Sequence, residues 1–196
     1  MIIDFHTHIV SPKIVARRDE LIRTDACFRA LFTNPSAVLA TAENIIDSMD
    51  GDGIDISVVL NMGWSSHELC CEINDYIMES VSRYPDRLIG FGSIHPESKD
   101  AVKEIEQCAK GGMRGIGEMM PHLQNFDLAN FDLMAPIAET IEKLDLIFLV
   151  HCTEPVGHIY PGKGDVFPQT VYQFISNFPN MKVVCGHWGG GLPFYS

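Results

Sequence analysis

Apolar and polar positions divide this chain into two alternating kinds of segment. Short runs rich in Ile, Val, Leu and Phe recur at Ile2 to Phe5, Ile54 to Leu60, Leu88 to Ile94, Met113 to Glu118, Leu146 to Val150 and Met181 to Cys185. Runs of this length and composition, bounded by Gly, Pro, Asn or Asp, predict strands. The longer stretches between them predict helices at about 41–50, 65–84, 100–110, 131–143 and 169–176. Thr41, with Asn44 at the capping-box position, starts the first of these, and Ser65 or Ser66 starts the second. Gly51-Asp52-Gly53, Pro85 and Gly111-Gly112 stop three of them. A loop with Pro155, Pro161 and Pro168 precedes the last helix, and 119–130 reads as loop.

The stretch Ile9 to Ala42 fits neither pattern. It holds Pro12, Pro35 and the arginines Arg17, Arg18, Arg23 and Arg29. A connection this long usually carries its own structure or a role. It reads as a partly helical insertion, at about 9–42, over the mouth of a site within one domain spanning 1–196. An arginine there could bind a substrate carboxylate, although a solvated basic turn is the commoner reading of any one of them.

Strands alternating with helices at this spacing make a parallel α/β fold. A doubly wound sheet and a barrel both satisfy it. The chain has no GxGxxG after its first strand and no GxxxxGKS, so nucleotide-binding sheets are disfavoured. Three predicted strands run into histidine: the first into His6 and His8, the fifth into His151, the sixth through Gly186 into His187. Ligand-type residues recurring at strand C-termini favour the TIM-like (β/α)8 barrel.

Strict alternation in the first strand puts Asp4, His6 and His8 on one face and Ile3, Phe5 and Thr7 on the other. Two imidazoles on one face can hold one divalent ion, and a neighbouring carboxylate can orient them. Two surface histidines near a frayed terminus is the plain alternative. Glu118 ends the fourth strand as ligand, base, orienting partner or buried structural carboxylate. His95, His122 and His158 read as polar loop residues, and His67 as structural at a helix start.

The net charge of −12 makes nucleic acid a poor partner but leaves a small anionic substrate open. No apolar run reaches membrane-spanning length, and the N-terminus lacks a signal-peptide pattern, which points to the cytoplasm. Cys27, Cys70, Cys71, Cys108, Cys152 and Cys185 form no CxxC pair and read as free thiols. Cys152 and Cys185, beside the histidine strands, read as small core residues rather than ligands.

Asp4-Phe5-His6-Thr7-His8, Gly115-Ile116-Gly117-Glu118, His151 and the run from Cys185-Gly186-His187-Trp188-Gly189 to Pro193 together resemble the amidohydrolase-related family. The branch is the one containing aminocarboxymuconate semialdehyde decarboxylase and related carboxy-lyases and hydrolases. Asn74 and Tyr84-Pro85-Asp86-Arg87 match the family as well. The resemblance implies a barrel with a divalent metal, usually Zn2+, held by His6, His8 and His151. It implies His187 as the residue acting on substrate or water, and it makes Glu118 a second catalytic candidate. TatD-like deoxyribonucleases carry a similar Gly-Glu whose carboxylate is a metal ligand.

The expectation is a metal-dependent hydrolase or carboxy-lyase acting on a small, carboxylated organic acid. An inactive or split fragment is the alternative, and a TatD-like or PHP-like phosphoesterase is disfavoured by the acidic composition. Family members usually add a ligating aspartate on an eighth strand, whereas only six βα units can be counted here. A C-terminally truncated barrel is therefore expected, with free strand edges that favour a homo-oligomer, poor solubility and little activity alone.

Overall fold

The computed structural model describes residues 1–160 and 162–195; Pro161, one of the three expected loop prolines, lies outside the described residues. Six strands form one sheet: β1 (Ile3–His8), β2 (Ile56–Leu60), β3 (Leu88–Gly92), β4 (Gly115–Met119), β5 (Ile147–Val150) and β6 (Lys182–Cys185). They lie side by side in sequence order, and every neighbouring pair is parallel. Doubly wound sheets reverse their strand order at a switch point; a barrel wall does not. This order therefore selects the barrel.

Ten helices surround the sheet among the described residues. They are α1 (Pro12–Ala16), α2 (Arg18–Thr24), α3 (Ala26–Phe32), α4 (Ala42–Asp52), α5 (His67–Arg83), α6 (Ala101–Lys110), α7 (Pro121–Gln124), α8 (Phe131–Lys143), α9 (Pro168–Asn177) and α10 (Leu192–Tyr195). The caps at Thr41 and Ser66 follow the sequence, and Asn130 adds a third. Asn44 Oδ1 accepts from the Thr41 backbone N–H, Ser66 Oγ from Leu69 N–H, and Asn130 Oδ1 from Leu133 N–H. The expected loop at 119–130 differs, because α7 forms there. Its Gln124 is buried and ties three backbones together, accepting from Met120 N–H and donating to the carbonyls of Trp64 and Ile94.

The sheet has two apolar faces. Outward, Val59, Ile116, Phe148 and Val150 join the large core against the helices. Inward, Val58, Leu60, Phe91 and Leu149 form a smaller cluster. Phe5 joins this inner side, its ring 6.0 Å from that of Phe91.

Two strands break the period-2 rule. On β1, Asp4 pairs with Ser57 but Thr7 pairs with Val59, so three steps on one strand match two on the other. On β4, Ile116 pairs with Phe148 but Met119 pairs with Val150, again one residue too many. Each extra residue flips the facing of everything after it. Asp4 aligns with outward Ser57, yet His8 aligns with inward Leu60. The expectation that Asp4 shares a face with His6 and His8 is thereby corrected. The Asp4 carboxylate instead accepts from the His6 backbone N–H at 3.3 Å.

The segment after β1 contains α1, α2 and α3. Phe28 stacks on Trp64 with centroids 5.7 Å apart, and both are fully buried. Burying two such rings stabilises this attachment by several kcal/mol. Asp25 caps α3 at Phe28 N–H and also accepts from Ser65 N–H at 2.8 Å. Arg17 pairs with Glu72 at 2.9 Å, and Arg18 donates to the carbonyls of Phe32, Asn34 and Ala37. Those two guanidinium groups serve the protein rather than a substrate carboxylate.

Candidate active site

The two bulges bring the chemistry to one point. Inward-facing His6 and His8 come from β1. Glu118 comes from β4, where Gly117 and Glu118 together stand opposite Leu149. Gly117 has φ +144°, and a Cβ on it would lie 2.3 Å from the Leu149 carbonyl oxygen. Only glycine permits that approach, so the Gly-Glu pair is what turns the carboxylate inward. His151 follows β5 directly, its N–H bonded to the Met119 carbonyl at 2.8 Å. His187 follows β6 and begins a left-handed turn: His187, Trp188, Gly189, Gly190 and Gly191 all have positive φ. A Cβ on Gly190 would meet the Thr153 carbonyl oxygen at 2.3 Å, which explains glycine at the centre of this turn.

Glu118 is 3% exposed and touches four imidazoles. Its Oε1 accepts from Nδ1 of His151 at 3.0 Å and from Nε2 of His187 at 3.1 Å. Its Oε2 lies 3.3 Å from Nε2 of His6 and 3.4 Å from Nε2 of His8. The His6 and His8 Nε2 atoms are 3.0 Å apart, with the rings stacked at 18°. Burial alone would push the Glu118 carboxyl up. Hydrogen bonds from His151, His187, His6 and His8 outweigh it and hold the group well below the usual carboxylate range. The bond to Glu118 in turn raises His187, against the effect of its own burial.

The site fits a divalent ion on its own geometry. His6, His8 and Glu118 form one cluster of ligand atoms, and Glu118, His151 and His187 form another. The first is a triangle with edges of 3.0, 3.3 and 3.4 Å. Ligands about 2.0–2.2 Å from one ion stand roughly 3.3–3.6 Å apart in a tetrahedron and about 3 Å apart in an octahedron. Nε2 of His151 is buried with no partner, an orphan that costs free energy unless something binds it.

The five residues singled out from the sequence converge on one carboxylate, with His6 and His8 at Oε2 of Glu118 and His151 and His187 at its Oε1. His122, read from the sequence as a polar loop residue, stands instead on a short helix beside the site. At α7 its ring stands 5.1 Å from that of His151, with both nitrogens buried and unpartnered. Burial lowers its pKa, with the neighbouring His151 adding to the effect. No local pattern marks His122; only the α7 turn aims it. It lines a cleft of about 420 Å³ with Phe126, Asp127, Asp165, Val166 and Thr170 among others. Cys185 pairs with outward Val150 and joins the helix-side core, and Cys152 is buried there too, as small core residues do. His95 and His158 belong to neither cluster of the mouth.

A family profile for amidohydrolases matches residues 3–194. The chain belongs to the amidohydrolase family. This bears out the resemblance carried by Asp4 to His8, Gly115 to Glu118, His151 and Cys185 to Pro193. This amidohydrolase chain is 24% identical over 157 residues to a gamma-resorcylate decarboxylase of Polaromonas sp., covering 66% of the chain and 47% of that relative. It is 27% identical over 174 residues to a 2-amino-3-carboxymuconate-6-semialdehyde decarboxylase of Dictyostelium discoideum, covering 76% and 48%. It thus spans about half the length of both relatives. Among solved structures it matches a 5-carboxyvanillate decarboxylase of Novosphingobium aromaticivorans complexed with manganese and 4-hydroxy-3-methoxy-5-nitrobenzoic acid. That match has a TM-score of 0.79 and 22% identity, over all of this chain and 67% of that one. The likeness shows the fold, six βα units of a TIM-like barrel. Among the described residues no helix is long and apolar enough to cross a membrane.

Proposed function

We propose that this chain carries the metal site of a carboxy-lyase acting on a small carboxylated aromatic or muconate-like acid. The observation behind the proposal is the convergence of four imidazoles on one buried carboxylate at the strand C-termini. His6, His8 and His151 would hold a divalent ion, with Zn2+ suited to an imidazole-rich set and Glu118 completing the cluster. When bound, the ion supplies positive charge against the substrate carboxylate or its neighbouring oxygen.

The remaining chemistry belongs to the side chains. Decarboxylation leaves electron density on a carbon that must take up a proton. His187 is half exposed, faces the mouth and holds a proton at Nε2 against Glu118 Oε1. A positioned acid of this kind contributes roughly 10²–10⁴-fold to rate. Glu118, ionised and buried, keeps His187 charged. The 420 Å³ cleft at His122 lies behind the mouth, since none of His6, His8, Glu118, His151 and His187 lines it. The segment at about 9–42 would flank this mouth. The decarboxylase relatives support the lyase over a hydrolase. The hydrolase reading uses the same carboxylate as a base toward water.

The test is carbon dioxide release from hydroxybenzoates and carboxylated muconates, run on this chain and on a longer coding sequence if one continues it. The expected result is release that falls in His187→Asn with metal content unchanged. The His6→Ala/His8→Ala double variant should lose metal as well. Ring opening of lactones without carbon dioxide would replace the lyase with the hydrolase, and turnover of phosphodiesters alone would overturn both. An active longer protein and an inert short one would mark the short chain as a fragment.

A further inference from the structure

A second cluster of ligand-type side chains lies outside the barrel mouth, between α5 and α6. His67 and Cys71 stand four residues apart on α5 and so share one face. Glu104 and Cys108 have the same spacing on α6, where both are buried. Nε2 of His67 is 3.5 Å from Sγ of Cys71, and that sulfur is 3.2 Å from Oε2 of Glu104. The donor atoms of His67, Cys71 and Glu104 all lie within 4.8 Å of one another. A nitrogen and a sulfur bound to one tetrahedral zinc stand roughly 3.5 Å apart.

A further observation points to a missing positive charge. Glu104 is 6% exposed, and all its partners are neutral: Asn74 Nδ2 at 2.7 Å, Cys71 Sγ at 3.2 Å and Cys108 Sγ at 3.9 Å. Among the described residues no Lys, Arg or His forms an ion pair with it. A buried carboxylate with neutral donors alone is incompletely compensated. The cluster also has an entry path, a surface cleft lined by Ser65, His67, Glu68 and His95.

We propose that His67, Cys71 and Glu104 form a second metal site, for a thiophilic divalent ion of the zinc class. The ion clamps α5 to α6 and takes no part in the chemistry at the mouth. Binding releases the Cys71 thiol proton to solvent and puts a thiolate on the ion. Asn74 keeps its bond to the other Glu104 oxygen and orients the carboxylate. The site is independent of the function proposed above.

Cobalt(II) titration of the metal-free full chain tests this, because a thiolate ligand gives a sulfur-to-cobalt charge-transfer band and imidazole or carboxylate ligands do not. The band should appear in the wild-type chain, persist in His6→Ala/His8→Ala, and vanish in Cys71→Ser. If Cys71→Ser unfolds, His67→Gln in the first turn of α5 serves instead, and should weaken the band's titration at least tenfold. No band in the wild type overturns the site. So does a band that survives Cys71→Ser, or one that His67→Gln leaves unchanged.

Discussion

Nδ1 of His151 and Oε1 of Glu118 lie 3.0 Å apart across two neighbouring strands, 33 residues apart in sequence. The bond fixes the tautomer of His151: Nδ1 carries the proton, and the buried Nε2 is left with a lone pair and no partner. The same carboxylate oxygen also accepts from His187. One acidic side chain thus sets the orientation of ligand-type residues from three other strands.

The first prediction follows from that role. Glu118→Gln keeps the shape and removes the charge. Divalent-ion affinity should fall by roughly 10–100-fold, as when a group that orients metal ligands is lost. Competition against a chelating dye measures it. An unchanged affinity would make Glu118 a structural residue only.

Stability of the metal-free protein should depend on pH through the same pair. The Glu118 pKa is held below its ordinary 4.5, so its contribution is complete above 4.5 and fades as pH falls. The His187 pKa is raised above 6.5, so its contribution is complete below 6.5 and fades as pH rises through the raised value. In chelator, the melting-temperature advantage of wild type over Glu118→Gln should widen as pH climbs to 4.5 and narrow above 6.5. A difference that stays flat across that range is the contrary outcome.

Gly117→Ala should damage both fold and site. The added methyl meets the Leu149 carbonyl oxygen at 2.3 Å, at a φ of +144° that disfavours side chains. Destabilisation of about 2 kcal/mol or more is expected in urea unfolding, together with weakened metal binding. Gly51→Ala, with nothing within 4 Å of the new methyl, is the control and should cost far less.

The thiols should differ sharply in reactivity. Burial pushes Cys27 and Cys70 up to about 12, so both stay neutral at physiological pH. Cys185 is half-buried, and the neighbouring Cys152 thiol lowers its pKa. Mass spectrometry after brief alkylation of folded protein should find Cys185 modified before Cys27 or Cys70. Early labelling of Cys27 would show that α3 opens readily from the barrel.

The sequence alone determined the alternation of strand and helix, the caps at Thr41 and Ser66, and the histidines at the ends of β1, β5 and β6. These are local properties, because a side chain's facing repeats every 2 or 3.6 residues and a cap needs only its own first turn. The tertiary structure decided where those residues point. Alternation placed Asp4 with His6 and His8, but one extra residue on β1 separated them, and a bulge exists only relative to its partner strand. The bulge at Gly117 and Glu118 likewise decided that a carboxylate read four ways from the sequence faces inward among four imidazoles. His122 beside His151, and His67 with Cys71 opposite Glu104, are meetings across turns and between helices. Helical periodicity puts His67 and Cys71 on one face, but only the packing of the helices on the sheet brings Glu104 to them and His122 to His151.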